Sequence, residues 1–150
     1  MSQSLESEIQ ELYEELINGW NKRNAFGMAA LYSEDGMQIG FDGSKLAGRK
    51  EILSHLELIF AEHPTPPYVT KVKSLRSLGE DAAVLHAIAG MVPPGETSIN
   101  PELNTHHTLI AVRNEGVWKI VLFQNTPAQF HGRPELAAQM TEELKMEILT

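Results

Sequence analysis

A few side chains in this sequence carry the chemistry of a small-molecule site. His106 can exchange a proton near neutral pH, and Gln124 offers both a donor and an acceptor. Gln124 stands in the run Trp118-Lys-Ile-Val-Leu-Phe-Gln-Asn-Thr-Pro127, where a strand of apolar residues ends in three hydrogen-bonding side chains. Such a strand has either surfaced or reached a cavity. Asp42 precedes Gly43, which makes it a turn former by type. At a strand end it is also placed to serve as a general base, its pKa raised by apolar neighbours. Trp20 belongs to an apolar stripe and reads first as packing, yet its indole N–H needs a partner, and a pocket is one place to find it. These residues add up to acid–base chemistry on a hydrophobic molecule. His106 and Asp42 are the catalytic candidates; Trp20, Tyr32, Thr108 and Gln124 are the candidate ligand contacts.

Other chemistries lack their residues. The chain has no cysteine, which excludes disulfides, thiolate metal sites and a cysteine nucleophile. His106 and His107 are adjacent on a strand, so they point to opposite faces and cannot share an ion. The six histidines show no H-E-x-x-H or other paired spacing, and no metal is expected. Gly43 to Gly48 has the G-x-x-x-x-G spacing of a phosphate cradle, but Lys50 falls one position late and Glu51 replaces the magnesium-binding hydroxyl. That stretch reads as a turn leading into a helix. A G-x-S-x-G elbow and a G-x-G-x-x-G dinucleotide turn are both missing, so no nicotinamide, flavin or other cofactor is expected.

Composition narrows the partners. At 150 residues the chain has the length of one domain, 1–150, with a core over about 5–130 and a C-terminal helix over 133–149. Twelve basic and 20 acidic residues give a net charge of −8, which repels phosphate backbones. The basic residues are scattered, and the densest patch, Lys71, Lys73 and Arg76, has no interleaved aromatics, so nucleic acid is not an expected partner. No apolar run approaches the roughly 18 residues that span a bilayer. The first twenty residues carry five glutamates and no basic n-region, unlike a signal peptide. Cytoplasmic residence is the default expectation.

The candidate residues need elements to hold them. Leu5, Ile9, Leu12, Leu16, Ile17 and Trp20 recur at steps of three and four and predict an amphipathic first helix. Asn24 is an N-cap for a short second helix carrying Phe26, Ala29, Leu31 and Tyr32, ended by Asp35-Gly36. A strand from Met37 to Phe41 follows, then the loop Asp42–Gly48 opening a third helix with Ile52, Leu53, Leu56, Ile59 and Phe60 inward. Pro64, Pro66 and Pro67 stop that helix. The period then switches to two, predicting strands over 68–78, 82–91, 105–113 and 117–125. Pro134 starts a closing helix with Leu136, Met140, Leu144 and Ile148 at steps of four. The order α-α-β-α-β-β-β-β-α, with consecutive strands, predicts an α+β fold with an antiparallel sheet.

A three-residue loop Asn114-Glu115-Gly116 sets the last hairpin. It pairs Arg113 with Val117 and therefore Val112 with Trp118, Ile110 with Ile120, Thr108 with Leu122 and His106 with Gln124. One face then carries Trp118, Ile120, Leu122, Val112 and Ile110, ending in His106, Thr108 and Gln124. The other carries Leu109, Ala111, Val121, Phe123, His107 and Asn125. Both faces are largely apolar, so both need cover. Helices cover one, and a partner subunit is the natural cover for the other. A two-residue loop would swap the faces of one strand.

Several stretches carry a resemblance: Gly19–Asn24 (GWNKRN), Ala30–Gly36 (ALYSEDG), Gly48–Ile52 (GRKEI) and Gly116–Pro127 (GVWKIVLFQNTP). The pattern resembles the nuclear transport factor 2-like superfamily, with ketosteroid isomerases and SnoaL-like polyketide cyclases, over about Leu5 to Leu144. More narrowly, FDGSKLAGRKEI, GMVPPGETSINPELN and FQNTPAQFHGRPEL resemble the SgcJ/EcaC group. The resemblance implies a cone-shaped, cystatin-like α+β fold, a curved antiparallel sheet wrapped around the N-terminal helices. It implies a cavity for a small hydrophobic molecule and a homodimer through the outer sheet face. The oxidoreductase label of that narrower group finds no redox cofactor site in these residues. A ketosteroid-isomerase oxyanion pair of tyrosine and protonated aspartate is not matched either: Tyr13 sits beside the core stripe and Tyr32 falls in the second helix. Fold analogy by itself does not establish isomerase or cyclase activity. Two readings stand: a small-molecule binding protein or enzyme, and a dimerisation or association module.

Overall fold

The structure, a computed structural model, describes residues 4–149; residues 1–3 and 150 of the expected domain lie outside it. Helix α1 (Leu5–Asn21) starts at Ser4, whose side chain accepts from the Ser7 N–H, and buries Ile9, Leu12, Tyr13, Leu16 and Ile17 along one stripe. Asn24 caps α2 (Ala25–Ala29) by accepting from the Gly27 N–H at 2.9 Å. Strand β1 (Tyr32–Ile39), the short β2 (Lys45–Ala47), α3 (Arg49–Glu62), β3 (Tyr68–Ser77) and β4 (Ala82–Met91) follow. A 3-10 turn (Pro101–Leu103) precedes β5 (Thr105–Asn114), β6 (Val117–Pro127) and α4 (Pro134–Leu149). The six strands form one curved, open sheet in the order β2-β1-β6-β5-β4-β3. The fold class and element order are those expected, with β2 and the 3-10 turn added. Among the described residues, no helix is long and apolar enough to cross a membrane.

Local chemistry places most boundaries. Tyr32 is completely buried and starts β1 instead of ending α2, because α2 stops at Ala29 and Tyr32 pairs with Ile120. That pairing makes β1–β6 parallel, the exception in a sheet otherwise antiparallel. The loop after β1 is no phosphate cradle. Glu51, the residue that argued against one, accepts a hydrogen bond from the Ala47 N–H at 3.1 Å and closes the start of α3. Arg23, at φ 58°, ties the α1–α2 corner to the end of α3 through the carbonyls of Phe60 and His63 and the Thr65 hydroxyl.

The β5–β6 hairpin differs from the expected register in two places. Its loop is two residues, Glu115 and Gly116, both at positive φ (53° and 80°), and Asn114 pairs with Val117. Farther along, Val121 is an extra residue: Ala111 pairs with Ile120 but Ile110 with Leu122. Before this bulge Trp118 and Ile120 face the core, and after it Phe123 does. On β5 the inward set is Thr105, His107, Leu109 and Ala111. The main core lies between this inner face, α1, α2 and α3.

The outer face is partly covered by the chain's own last helix, which corrects the expectation that helices cover only one side. Met140 and Leu144 of α4 pack on Ile88 of β4 and Ile99 of the β4–β5 loop. Gly90 is needed beneath them: a Cβ there would lie 2.9 Å from the Leu144 Cδ1. Asn104 Nδ2 donates to the buried Thr141 hydroxyl at 2.9 Å, and Lys71 and Lys73 of β3 pair with Glu143. Ile148, at 50% exposure, lies beyond this contact.

Candidate functional site

Between α1, α3 and the inner sheet face lies a cavity of about 720 Å³. Leu16, Ile17 and Trp20 of α1 form one side, Ile59 and His55 of α3 another, and Tyr68, Thr105, Phe123 and Asn125 the sheet wall. Asp42, Phe41, His63 and Thr65 stand among the lining residues from the loops. Its size falls in the range of small-molecule sites, and mostly apolar walls with a few polar groups are their usual character.

The polar groups form a chain on the sheet wall. The Thr105 hydroxyl bonds the Asn125 side-chain carbonyl and the Thr126 backbone carbonyl, and Asn125 Nδ2 donates to the Tyr68 hydroxyl at 3.1 Å. Burial pushes the Tyr68 phenol up to about 12, so it stays protonated, and its own proton remains to be donated. Trp20 packs edge-on against Phe60 and tilted against Tyr68, with ring centres 5.3 and 5.1 Å apart, and its indole donates to the Pro66 carbonyl at 2.9 Å. The indole partner is thus backbone.

Next to this chain, His107 is completely buried with Tyr68 and Phe123 packed edge-on, each 4.9 Å away. Its Nδ1 lies 2.8 Å from the hydroxyl of Tyr13, which is 1% exposed and faces the sheet. Burial holds the imidazole pKa down at about 3, with smaller contributions from His106 and His86. The ring is therefore neutral at physiological pH.

The residues singled out from sequence divide between the two faces. Trp20 and Asp42 line the cavity. Tyr32 sits one layer behind it, donating to the lining residue Gln38 at 3.1 Å. His106, Thr108 and Gln124 do not reach it: the two-residue loop and the Val121 bulge turn all three to the outer face, where Thr108 pairs with Gln124 and His106 with Thr126. There His106 stacks on His86, with Nδ1 and Nε2 2.9 Å apart. Burial lowers both pKa values. Asp42 is exposed, and its carboxylate accepts from the Ser44 N–H at 2.9 Å, the turn role its type suggests. That N–H lowers its pKa, the reverse of the shift expected of a base among apolar neighbours, and the nearby His55 adds to it. His107, Tyr13, Tyr68 and Thr105 were not candidates. The signal for Thr105 and His107 was the alternation of β5, read one face off; Tyr13 on α1 and Tyr68 at the start of β3 carried none.

No group of three or more potential metal ligands occurs among the described residues. Comparison with solved structures places the fold. A domain of unknown function with a cystatin-like fold from Nostoc punctiforme superposes with a TM-score of 0.81 at 22% identity, covering 100% of both chains. A putative calcium/calmodulin-dependent protein kinase type II association domain from Thiobacillus denitrificans gives 0.72 at 16% identity, over 80% of this chain and 94% of that one. A nuclear transport factor 2-like protein of unknown function from Pseudomonas putida gives 0.68 at 21%, over 87% and 92%. No curated protein matches the chain. The SnoaL-like domain family model matches residues 9–125, from the first core residue of α1 to the end of the cavity wall on β6, and the chain belongs to that family.

Proposed function

We propose that this chain binds a small hydrophobic molecule in the cavity between its helices and the inner sheet face. The observation that carries the reading is the cavity itself: about 720 Å³, walled by Trp20, Tyr68, Phe123, Leu16 and Ile17, with Asn125, Thr105 and Gln38 as its few fixed polar groups. The fold is one on which small-molecule binding and isomerisation recur. For acid–base chemistry on such a ligand, the groups on hand are Asp42, whose low pKa keeps it an ionised acceptor, and His55 beside it. The test is native mass spectrometry of gently purified protein, followed by titration of an apolar fluorescent probe. Retained small-molecule mass, or saturable probe binding that Ile59→Trp abolishes without loss of fold, supports the reading. Binding unchanged by filling the cavity would falsify it.

A second reading has its own support. Ile110, Val121 and Leu122 remain half-buried, and Val112 is exposed, on the part of the outer face that α4 leaves open. One protein of similar fold is described as an association domain. A homodimer through β5 and β6 is the arrangement proposed, and the same mass spectrum reports it as subunit count.

A further inference from the structure

We propose that the cavity selects its ligand by charge: the Asp42 carboxylate, at the cavity's open end, receives the ammonium group of a hydrophobic amine and disfavours an acid of the same shape. The inference rests on the cavity being a ligand site and names the polar feature of that ligand.

The lining runs from buried to exposed. Leu16, Met28 and Phe123 are buried, whereas Phe41, Asp42 and His63 are exposed and mark where the cavity opens. Among the described residues the lining contains one carboxylate, Asp42, and no lysine or arginine. An anion drawn between these apolar walls leaves water without a counter-ion and meets a like charge at the entrance. A cation meets the opposite charge there. The chain's net charge of −8 has the same sign as that entrance.

Local geometry readies Asp42 for that role. Its Oδ1 accepts from the Ser44 N–H at 2.9 Å, which ties the side chain into the turn and keeps it ionised. An ionised carboxylate has about four acceptor sites, so this bond leaves room for an N–H of the ligand. Phe41, Trp20 and Tyr68 in the lining suit an apolar body and an ammonium alike, because aromatic ring faces attract cations. Groups of positive sign also stand nearby. His55 and His63 line the cavity, and the charge of His55 acts on Asp42. Arg23 reaches the lining residue Thr65, but its guanidinium is engaged by the Thr65 hydroxyl and by the Phe60 and His63 carbonyls, and Arg23 is not itself part of the lining.

The test uses three probes with one ring system and different charge, naphthylethylamine, naphthylethanol and naphthylacetic acid, with the intact protein. The assay is set at pH 8, above the ordinary imidazole value of about 6.5. In dilute salt the amine should bind about threefold tighter than the alcohol and the acid about threefold weaker, the scale of an exposed ion pair. Asp42→Asn keeps an oxygen for the Ser44 N–H, so it should lower the amine-to-acid ratio about tenfold and leave alcohol binding unchanged. Salt of about 0.5 M should shrink the ratio in the natural protein, a reading that needs no variant. Ile59→Trp, which fills the cavity, should abolish binding of all three. With the alcohol bound, an acid that binds as tightly as the amine, or a ratio unmoved by Asp42→Asn, overturns the inference and leaves the cavity reading intact. Amine binding that survives Ile59→Trp when alcohol binding is lost marks a surface contact and overturns it too. Failure of all three probes to bind overturns the cavity reading and this inference with it.

Discussion

His107 makes the stability of this fold depend on acid in a way that one substitution isolates. The ring is wholly buried, with its pKa near 3 in the folded protein against about 6.5 in an unfolded chain. Its folded-state pKa is depressed, so the neutral ring's contribution is fully present above about pH 6.5. It is lost as pH falls, because the unfolded chain takes up a proton that the folded chain refuses. Between those limits the slope from this group is about 1.4 kcal/mol per pH unit. Moving from pH 7.5 to pH 4 should therefore cost about 3 kcal/mol through His107 alone. His86 and His106 add a smaller effect of the same sign, and Asp42 and Glu143, both lowered, add theirs at more acid pH. The assay is urea unfolding at pH 7.5, 6, 5 and 4 for the natural protein and for Tyr13→Phe/His107→Phe. The double variant removes the titrating ring without orphaning the phenol. Any pH-independent packing change shifts its whole curve, so only the difference in slope is read. Curves that stay parallel from pH 7.5 to 4 would refute the reasoning, as would an NMR titration placing the His107 pKa near 6.

Three further outcomes are expected. Gly90→Ala should destabilise the fold by about 1–3 kcal/mol in chemical denaturation, because its Cβ would meet the Leu144 Cδ1 and the Asn104 Oδ1 at 2.9 Å in a closed space. Leu144→Ala, at a completely buried position, should cost about 2–5 kcal/mol and raise protease cleavage near Pro134 as α4 loosens; unaltered stability would remove α4 from the packed structure. Leu122→Glu on the open outer face should convert dimer to monomer by native mass spectrometry while probe binding persists, and a dimer that survives it would exclude this face as the interface.

Periodicity made the architecture legible and left the site half-legible. The stripe of α1 is written in Ile9, Leu12 and Leu16, and the Asn24 cap in its side-chain type, so both could be located without coordinates. Apolar runs on both faces of the sheet called for cover on each. Sequence could not say that Met140 and Leu144 of the chain itself supply part of the outer cover, over Ile88 of β4 and Ile99, because a helix at steps of four carries no address. The cavity wall turned on smaller features. Asn114-Glu115-Gly116 is compatible with two loop lengths, and a bulge at Val121 leaves no compositional trace among valines and isoleucines. Each shifts β6 by one, and period two converts a shift of one into the opposite face. Asp42 could be placed at a strand end because strand ends and turns are local, but the N–H that lowers its pKa depends on loop geometry.

The bulge at Val121 also sets what the cavity wall is made of. Drawn flat, with Val121 taking a place in the ladder, the strand would roll Leu122, Gln124 and Thr126 inward and send Phe123 and Asn125 out. An aromatic wall with one amide would become an aliphatic wall with an amide and a hydroxyl, with no residue changed. Deleting Val121 would instead leave every later residue facing as it does, because Ile120 and Leu122 already oppose the adjacent Ala111 and Ile110. The lining of a whole strand thus hangs on one residue being held out of the ladder, which a position-by-position comparison of side chains would miss.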